Sequence, residues 1–201
     1  MNAEQMLIYL ENVSNGNLII NLINHFVVII GIILCFKKIR FREKMILGSI
    51  IVLCISLIGN AVYYGNIFHL ITFSIMLVFA VVIFIKNKQA ADIPKKDIYT
   101  IMAVLFIVLG IWYPEFTHVN IVLSLLFAPL GIVPCPTLLT IGGILNLYPG
   151  KVNKGLFIYT IILIIVYGVI GTFVFKVYYD FLLLLLAAFS ILNLKRICLK
   201  R

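Results

Sequence analysis

The sequence is poor in acidic residues and has no paired cysteine motif. Only 7 of its 201 residues are Asp or Glu, against 16 Lys or Arg, and charged residues make up 11% of the chain. The four cysteines form no CxxC pair and have no histidine at zinc-finger spacing; they are Cys35, Cys54, Cys135 and Cys198. These absences argue against a disulfide framework and against a structural zinc site.

The chain also lacks the motifs of energy-coupled and cofactor-dependent proteins. It has no Gly-rich nucleotide loop, redox cofactor motif or soluble sensor domain, so any transport would be passive or driven by an ion gradient, and no cofactor is predicted. The one residue spacing in the sequence that is typical of a catalytic site is a Glu-x-x-His, from Glu115 to His118. Because no other catalytic motif accompanies it, a non-enzymatic role is favoured. The first residues lack the positive region and cleavage site of a signal peptide, so we expect them to be retained.

What the chain does have is apolar sequence. Hydrophobic residues amount to 64%, and the mean hydropathy is +1.19. Apolar runs of about 20 residues, the length that crosses a bilayer, occupy nearly the whole sequence. The predicted fold is therefore all-α, an integral membrane helical bundle forming a single polytopic domain over 1–201. Its parts are an interfacial segment (1–16), a transmembrane bundle (18–194) and a basic cytoplasmic tail (195–201).

Seven crossings are predicted, preceded by a short amphipathic helix on the membrane surface. The apolar residues of that helix recur at helical spacing from Ala3 to Leu10, and Ser14, Asn15 and Gly16 are expected to end it. The fifth crossing is long and interrupted by prolines, and Asp97 is expected to cap the fourth. The predicted crossings cover 18–36, 45–63, 67–85, 97–113, 119–147, 156–175 and 177–194.

The positive charges indicate the orientation. A single crossing by 119–147 places every Lys and Arg except Lys176 on one side, whereas a re-entrant or double crossing moves Lys151, Lys154 and the tail to the other. The positive-inside rule favours the single crossing in the cytoplasmic (inner) membrane, with the N-terminus outside and the C-terminus in the cytoplasm. Because the basic residues lie in loops around the spans, we expect the lipid bilayer rather than nucleic acid as the partner.

The fifth run contains the first group of candidate site residues. Proline lacks an amide donor and opposes the carbonyl four residues earlier, so the carbonyls of Leu125, Leu130 and Ile132 are expected to lose helical partners. Broken membrane helices use such carbonyls to coordinate ions. The candidates here are Pro134, Cys135, Pro136, Thr137 and Thr140. The alternative is a packed kink without a ligand, and a soft-metal site at Cys135 is a weaker interpretation.

A second group of polar residues is expected in the outer half of the bundle. Ionisable and amide side chains inside spans mark candidate functional sites, and here they could surround a pocket open to the outside. The pocket candidates are Asn21, Asn24 and His25 in the first span, Asn60 in the second and His69 in the third. Glu115, His118 and Asp180 are candidates at the outer face, and the alternative is that they are solvated loop residues.

Three segments, AEQMLIYLENVSNGN, WYPEF and GIVPCPTLLTIGG, resemble a family of bacterial polytopic membrane proteins of unknown function. The resemblance covers most of the chain, its most distinctive part is PCPT, and it implies no catalytic or binding residue. The leading functional prediction is binding or translocation of a small solute or cation through the outer pocket and the broken helix. The alternatives are a membrane-embedded enzyme with an outer Glu/His site and a non-catalytic subunit or sensor. A parallel homo-oligomer is compatible with each.

Overall fold

The computed structural model describes residues 3–37, 42–86, 94, 97–115, 123–148 and 154–199. Within these ranges the chain is helical and forms no β-strand. The helices are α1 (Ala3–Gly16), α2 (Leu18–Cys35), α3 (Arg42–Tyr63), α4 (Ile67–Lys86), α5 (Ile98–Ile111), α6 (Ser124–Phe127), α7 (Pro134–Leu147), α8 (Lys154–Val169) and α9 (Phe181–Leu199). A π-helical turn (Ile170–Val174) follows α8, and a 3₁₀ turn (Tyr178–Asp180) precedes α9.

The helices are those of a membrane-embedded protein, which confirms the predicted fold class at this level. Five are long and apolar enough to cross a membrane; they span Leu18–Cys35, Lys44–Tyr63, Ile67–Lys86, Lys154–Val174 and Tyr178–Arg196. The remaining two apolar helices, α5 and α7, have 14 residues each and fall short of that length. Outward faces are apolar as well, since Ile19, Phe26 and Ile33 in α2 are all more than half exposed.

Contacts at the two ends of the bundle establish the direction of each helix. At one end, Arg196 near the end of α9 pairs with Asp97 before α5, at 3.1 Å. Tyr148, which follows α7, donates to the carbonyl of Cys35 at the end of α2 (3.1 Å). We call this the Asp97 end, and the opposite end, where α9 begins, the Asp180 end. Helix α7 therefore runs in the same direction as α2 and α9.

Helix α7 is the centre of the bundle, because all of its 14 residues are buried. It packs most closely on α5, and two glycines permit the approach. A Cβ on Gly110 would lie 2.8 Å from the carbonyl oxygen of Pro136, and one on Gly143 would lie 2.9 Å from that of Ala103. Small residues at such contacts let helix backbones approach each other, which favours dispersion contacts between the helices.

The structure divides the proline-containing run, which was predicted as one long helix broken by prolines, into two helices. Helix α6 ends at Phe127, residues 128–133 form a non-helical turn, and α7 begins at Pro134. A proline at the start of a helix sacrifices no hydrogen bond, since the first amides have no helical acceptor. The prolines therefore separate two helices instead of kinking one. Helix α1 includes Ser14 and Asn15 and ends at Gly16, the last of the three residues that were predicted to end it.

Candidate functional site

Three predicted pocket residues, Asn21, Asn24 and Asn60, satisfy the backbone of the turn before α7. Their side-chain amides donate to carbonyls that have no helical partner: Asn21 to Phe127 (3.2 Å), Asn24 to Leu130 (2.8 Å) and Asn60 to Ile132 (3.0 Å). The expectation that proline would release the Leu130 and Ile132 carbonyls agrees with these contacts. The amides hold the turn in place, and they do not line the cavity described below.

His25 joins α2 to the end of α5. It is fully buried, with Nδ1 2.6 Å from the carbonyl oxygen of Asn21 and Nε2 3.0 Å from that of Ile111. A neutral imidazole carries one N–H and can donate to one of these oxygens, whereas an imidazolium donates to both. The structure thus gives His25 a bridging position between helices rather than a place in the cavity.

The two threonines of α7 occupy different environments. Thr137 closes the turn, because its hydroxyl donates to the Val133 carbonyl (2.7 Å) and accepts from the Gly131 amide (2.8 Å). Thr140 lies against Gly110 on α5, and its buried hydroxyl has no hydrogen-bond partner among the described residues. A buried hydroxyl without a partner carries a desolvation cost of about 1–3 kcal/mol, so a water or ligand there would be stabilised.

A cavity of about 240 Å³ lies at the Asp180 end, between α4, α7, α8 and the start of α9. It includes four of the predicted site residues, Pro134, Cys135, His69 and Asp180, which come from three separate parts of the sequence. Most of the remaining lining is apolar or aromatic: Leu10, Phe68, Val133, Tyr167, Ile170, Phe175 and Val177, with Asn66 and Gly171 completing it.

Asp180 is the buried charge of this cavity, with 1% of its surface exposed. Its carboxylate accepts a hydrogen bond from the Tyr113 hydroxyl (2.5 Å) and one from the Cys135 thiol (3.2 Å). Both donors are neutral, so the hydrogen bonds stabilise the carboxylate without cancelling its charge. Gly171 in the π-helical turn makes room for it, since a Cβ there would collide with the carboxylate.

An aromatic cluster forms one wall of the cavity. The ring of Tyr167 lies 5.6 Å from the rings of both Phe68 and His69. The Tyr167 hydroxyl lies 3.3 Å from the Thr72 hydroxyl, and this hydrogen bond helps to hold the Tyr167 ring in position. The wall contains both apolar ring faces and the one histidine that the structure brings to the cavity.

Of the two residues in the predicted outer Glu/His site, the structure describes Glu115. Glu115 follows α5 and is partly buried, and this burial raises the pKa of its carboxyl above the ordinary value. His118 lies outside the described residues. Across the ranges that the structure describes, no group of three His, Cys, Asp or Glu side chains could hold a metal ion.

Sequence reasoning missed the residues that complete the Asp180 site: Tyr113, Tyr167, Gly171 and Phe68. The tyrosines were interpretable only as interfacial aromatics, because their partners are about 67 and 95 positions away along the chain. One signal was available for Tyr113, which ends one apolar run as Asp180 begins another. Helices that start and end at the same membrane face bring such residues together.

No family model matches this chain, and none of the curated proteins or solved structures compared with it shows significant similarity.

Proposed function

We propose that the protein binds and translocates a small solute or ion through the cavity that contains Asp180 and Cys135. The single observation that carries this proposal is the Asp180 carboxylate, buried in a membrane protein and hydrogen-bonded only by the neutral donors Tyr113 and Cys135 among the contacts described. A buried charge without an opposite charge is costly and is typically retained where it contacts a substrate or ion.

The position of α7 supports translocation in addition to binding. The helix begins at the cavity and continues through the centre of the bundle toward the Asp97 end. Thr140 presents on the way a hydroxyl with no partner among the described residues, so a path along α7 would offer one hydrogen-bonding group beyond the cavity.

The proposed path requires seven crossings with the cavity open to the outside. In this arrangement α5 and α7 are the short fourth and fifth crossings, and the turn before α7 supplies the missing length. Two features support it: α7 runs parallel to α2 and α9, and a single crossing leaves only Lys176 among the basic residues on the outer side. The N-terminus is then outside, and the C-terminus lies in the cytoplasm.

A topology reporter fused after Lys154 tests the crossing number. We expect a cytoplasmic signal in cells, with a fusion after Tyr64 reporting the outside as the matched control. An external signal at Lys154 would contradict the single crossing of 119–147, and the proposed path along α7 would fail with it.

Flux and binding measurements on purified protein test the function itself. Proteoliposomes are assayed with a panel of inorganic cations, organic cations and neutral solutes, using wild type, Asp180→Asn and the matched control Asp97→Asn. We expect uptake or binding of at least one solute that Asp180→Asn abolishes and Asp97→Asn retains. An Asp180→Asn variant that behaves like wild type, or no uptake and no binding for the whole panel, would contradict the proposal.

The same preparations address the alternatives. Stoichiometric divalent metal that disappears in a Glu115/His118 double alanine variant would favour a membrane-embedded enzyme. A stable copurifying partner would favour a non-catalytic subunit or sensor.

A further inference from the structure

The chemistry of the cavity walls narrows the class of solute. Among the described lining residues, Asp180 is the acidic group and none is Lys or Arg. Its carboxylate oxygens each accept one neutral hydrogen bond, from Tyr113 and from Cys135, and each keeps a further lone pair. When Asp180 is ionised, the cavity therefore carries one uncompensated negative charge, which a monocation would balance.

The polar atoms are too few for an inorganic cation. Mg²⁺ and Ca²⁺ require about six or more oxygen ligands, supplied by the protein or by retained water. Besides the Asp180 carboxylate, the lining side chains offer two oxygens: that of Asn66, which already accepts the backbone amide of His69 (3.1 Å), and the Tyr167 hydroxyl, which lies 3.3 Å from that of Thr72. A bare inorganic ion in this cavity would exchange most of its hydration shell for apolar contacts.

The aromatic lining suits an organic cation. Phe68, Tyr167 and Phe175 all line the cavity, and aromatic faces attract ammonium groups through the ring quadrupole. Phe68 is 49% exposed, whereas Tyr167 is 6% exposed, so the cluster extends from the protein surface into the buried wall of the cavity. An alkylated ammonium group can pack its methyl groups on these rings while its charge is balanced by Asp180.

We propose that the cavity binds a compact organic monocation, an alkylammonium or tetraalkylammonium ion, between the Asp180 carboxylate and the aromatic rings of Phe68 and Tyr167. The volume of about 240 Å³ is below the range of about 300–1,000 Å³ of typical ligand pockets, so the cation is small. This assignment rests on the proposed function, because it names the solute of the same cavity.

Binding is tested on the full-length protein in a neutral maltoside detergent at constant ionic strength. The probes are tetramethylammonium and n-butylammonium, with K⁺ and Mg²⁺ as inorganic comparisons, measured by calorimetry. Trp112 gives a second readout, since it is the one tryptophan of the chain, adjoins Tyr113 and lies 6.5 Å from the ring of Tyr179. We expect at least one organic probe to bind with a Kd of about 1 mM or tighter, and neither inorganic ion to compete.

Two pairs of variants test separately what the Asp180 charge and the Tyr167 ring contribute to binding. Asp180→Asn keeps the side-chain shape and is expected to weaken binding about 100-fold or more, while Asp97→Asn leaves it unchanged. Tyr167→Phe keeps the ring face and is expected to bind within about twofold of wild type, whereas Tyr167→Leu removes the face and is expected to lose about 5- to 30-fold. Equal effects of the two Tyr167 variants would overturn the aromatic part of the site.

The same measurements distinguish an error in the solute class from an error in the proposed function. If neither organic probe binds to wild type but another solute is taken up in an Asp180-dependent manner, the solute class is wrong and the proposed function stands. If K⁺ or Mg²⁺ displaces the organic probes at equal concentration, the cavity is not selective for organic cations and the assignment is overturned.

Discussion

The contact between α5 and α7 gives a sharp prediction, because it holds together two parts of the Asp180 site. Gly110 lies three residues before Tyr113, and it faces Pro136, which follows Cys135. In Gly110→Ala, the new Cβ would lie 2.8 Å from the carbonyl oxygen of Pro136 and 2.8 Å from the amide nitrogen of Thr140. Both are backbone atoms, so the strain cannot be relieved by a rotamer change and the helices must separate.

The expected cost follows from two opposing terms. Overpacking a well-filled helix contact costs about 1–3 kcal/mol, and the backbone character of the clash puts Gly110→Ala in the upper half of that range. Replacing glycine by alanine inside a helix returns up to about 1 kcal/mol. The net loss is about 1–2 kcal/mol, which lowers Tm by roughly 2–8 °C in a chain of this size.

Gly59→Ala is the matched control, because nothing lies within 4 Å of its new Cβ on α3. The helix propensity term then acts alone, and Tm should stay constant or rise by up to about 4 °C. Tm is measured by heating the detergent-solubilised proteins and quantifying the remaining monodisperse fraction by size-exclusion chromatography. A Gly110→Ala variant that is as stable as Gly59→Ala would refute the close packing of α5 on α7.

Two further predictions concern polar contacts at opposite ends of the bundle. Asn24→Ala leaves the Leu130 carbonyl without its side-chain donor, so we expect a loss of about 1–2 kcal/mol and a Tm lower by roughly 2–8 °C in the same assay. For Asp97, burial alone would raise the pKa of the carboxyl, but hydrogen bonds from Thr100 and Arg196 outweigh it and lower the pKa below the ordinary 3.8. The ionised form is therefore favoured by folding, and its stabilisation is present above the ordinary pKa and is lost as the pH falls through the lower, folded value. The Tm difference between wild type and Asp97→Asn should shrink as the pH falls below about 4, and a pH-independent difference would contradict this pairing.

Much of the fold could be predicted from the sequence because it depends on local properties. Apolar runs of membrane length locate α2, α3, α4, α8 and α9 to within a few residues, and Asp97 was recognised as a cap because its acceptor role involves the nearby Thr100. The helix boundaries within residues 119–147 were harder to predict. Proline forbids the helix interior but is equally suited to its first turn, so composition alone does not distinguish a kinked helix from two helices.

The site was less predictable because its residues meet only through tertiary packing. Asn21, Asn24, Asn60 and His25 were predicted as polar groups around an outer pocket, and all of them except the partly exposed Asn60 are buried. Polarity alone does not reveal whether such a group binds a solute or a backbone carbonyl. In the structure, the turn before α7 exposes backbone carbonyls, and the side-chain amides of these asparagines donate hydrogen bonds to them. The remaining candidates, Cys135, His69 and Asp180, are left with a cavity whose other walls are aromatic. The side-chain NH₂ groups of these asparagines already donate to backbone carbonyls, whereas the Asp180 carboxylate, which accepts from two neutral donors, keeps free lone pairs within the cavity.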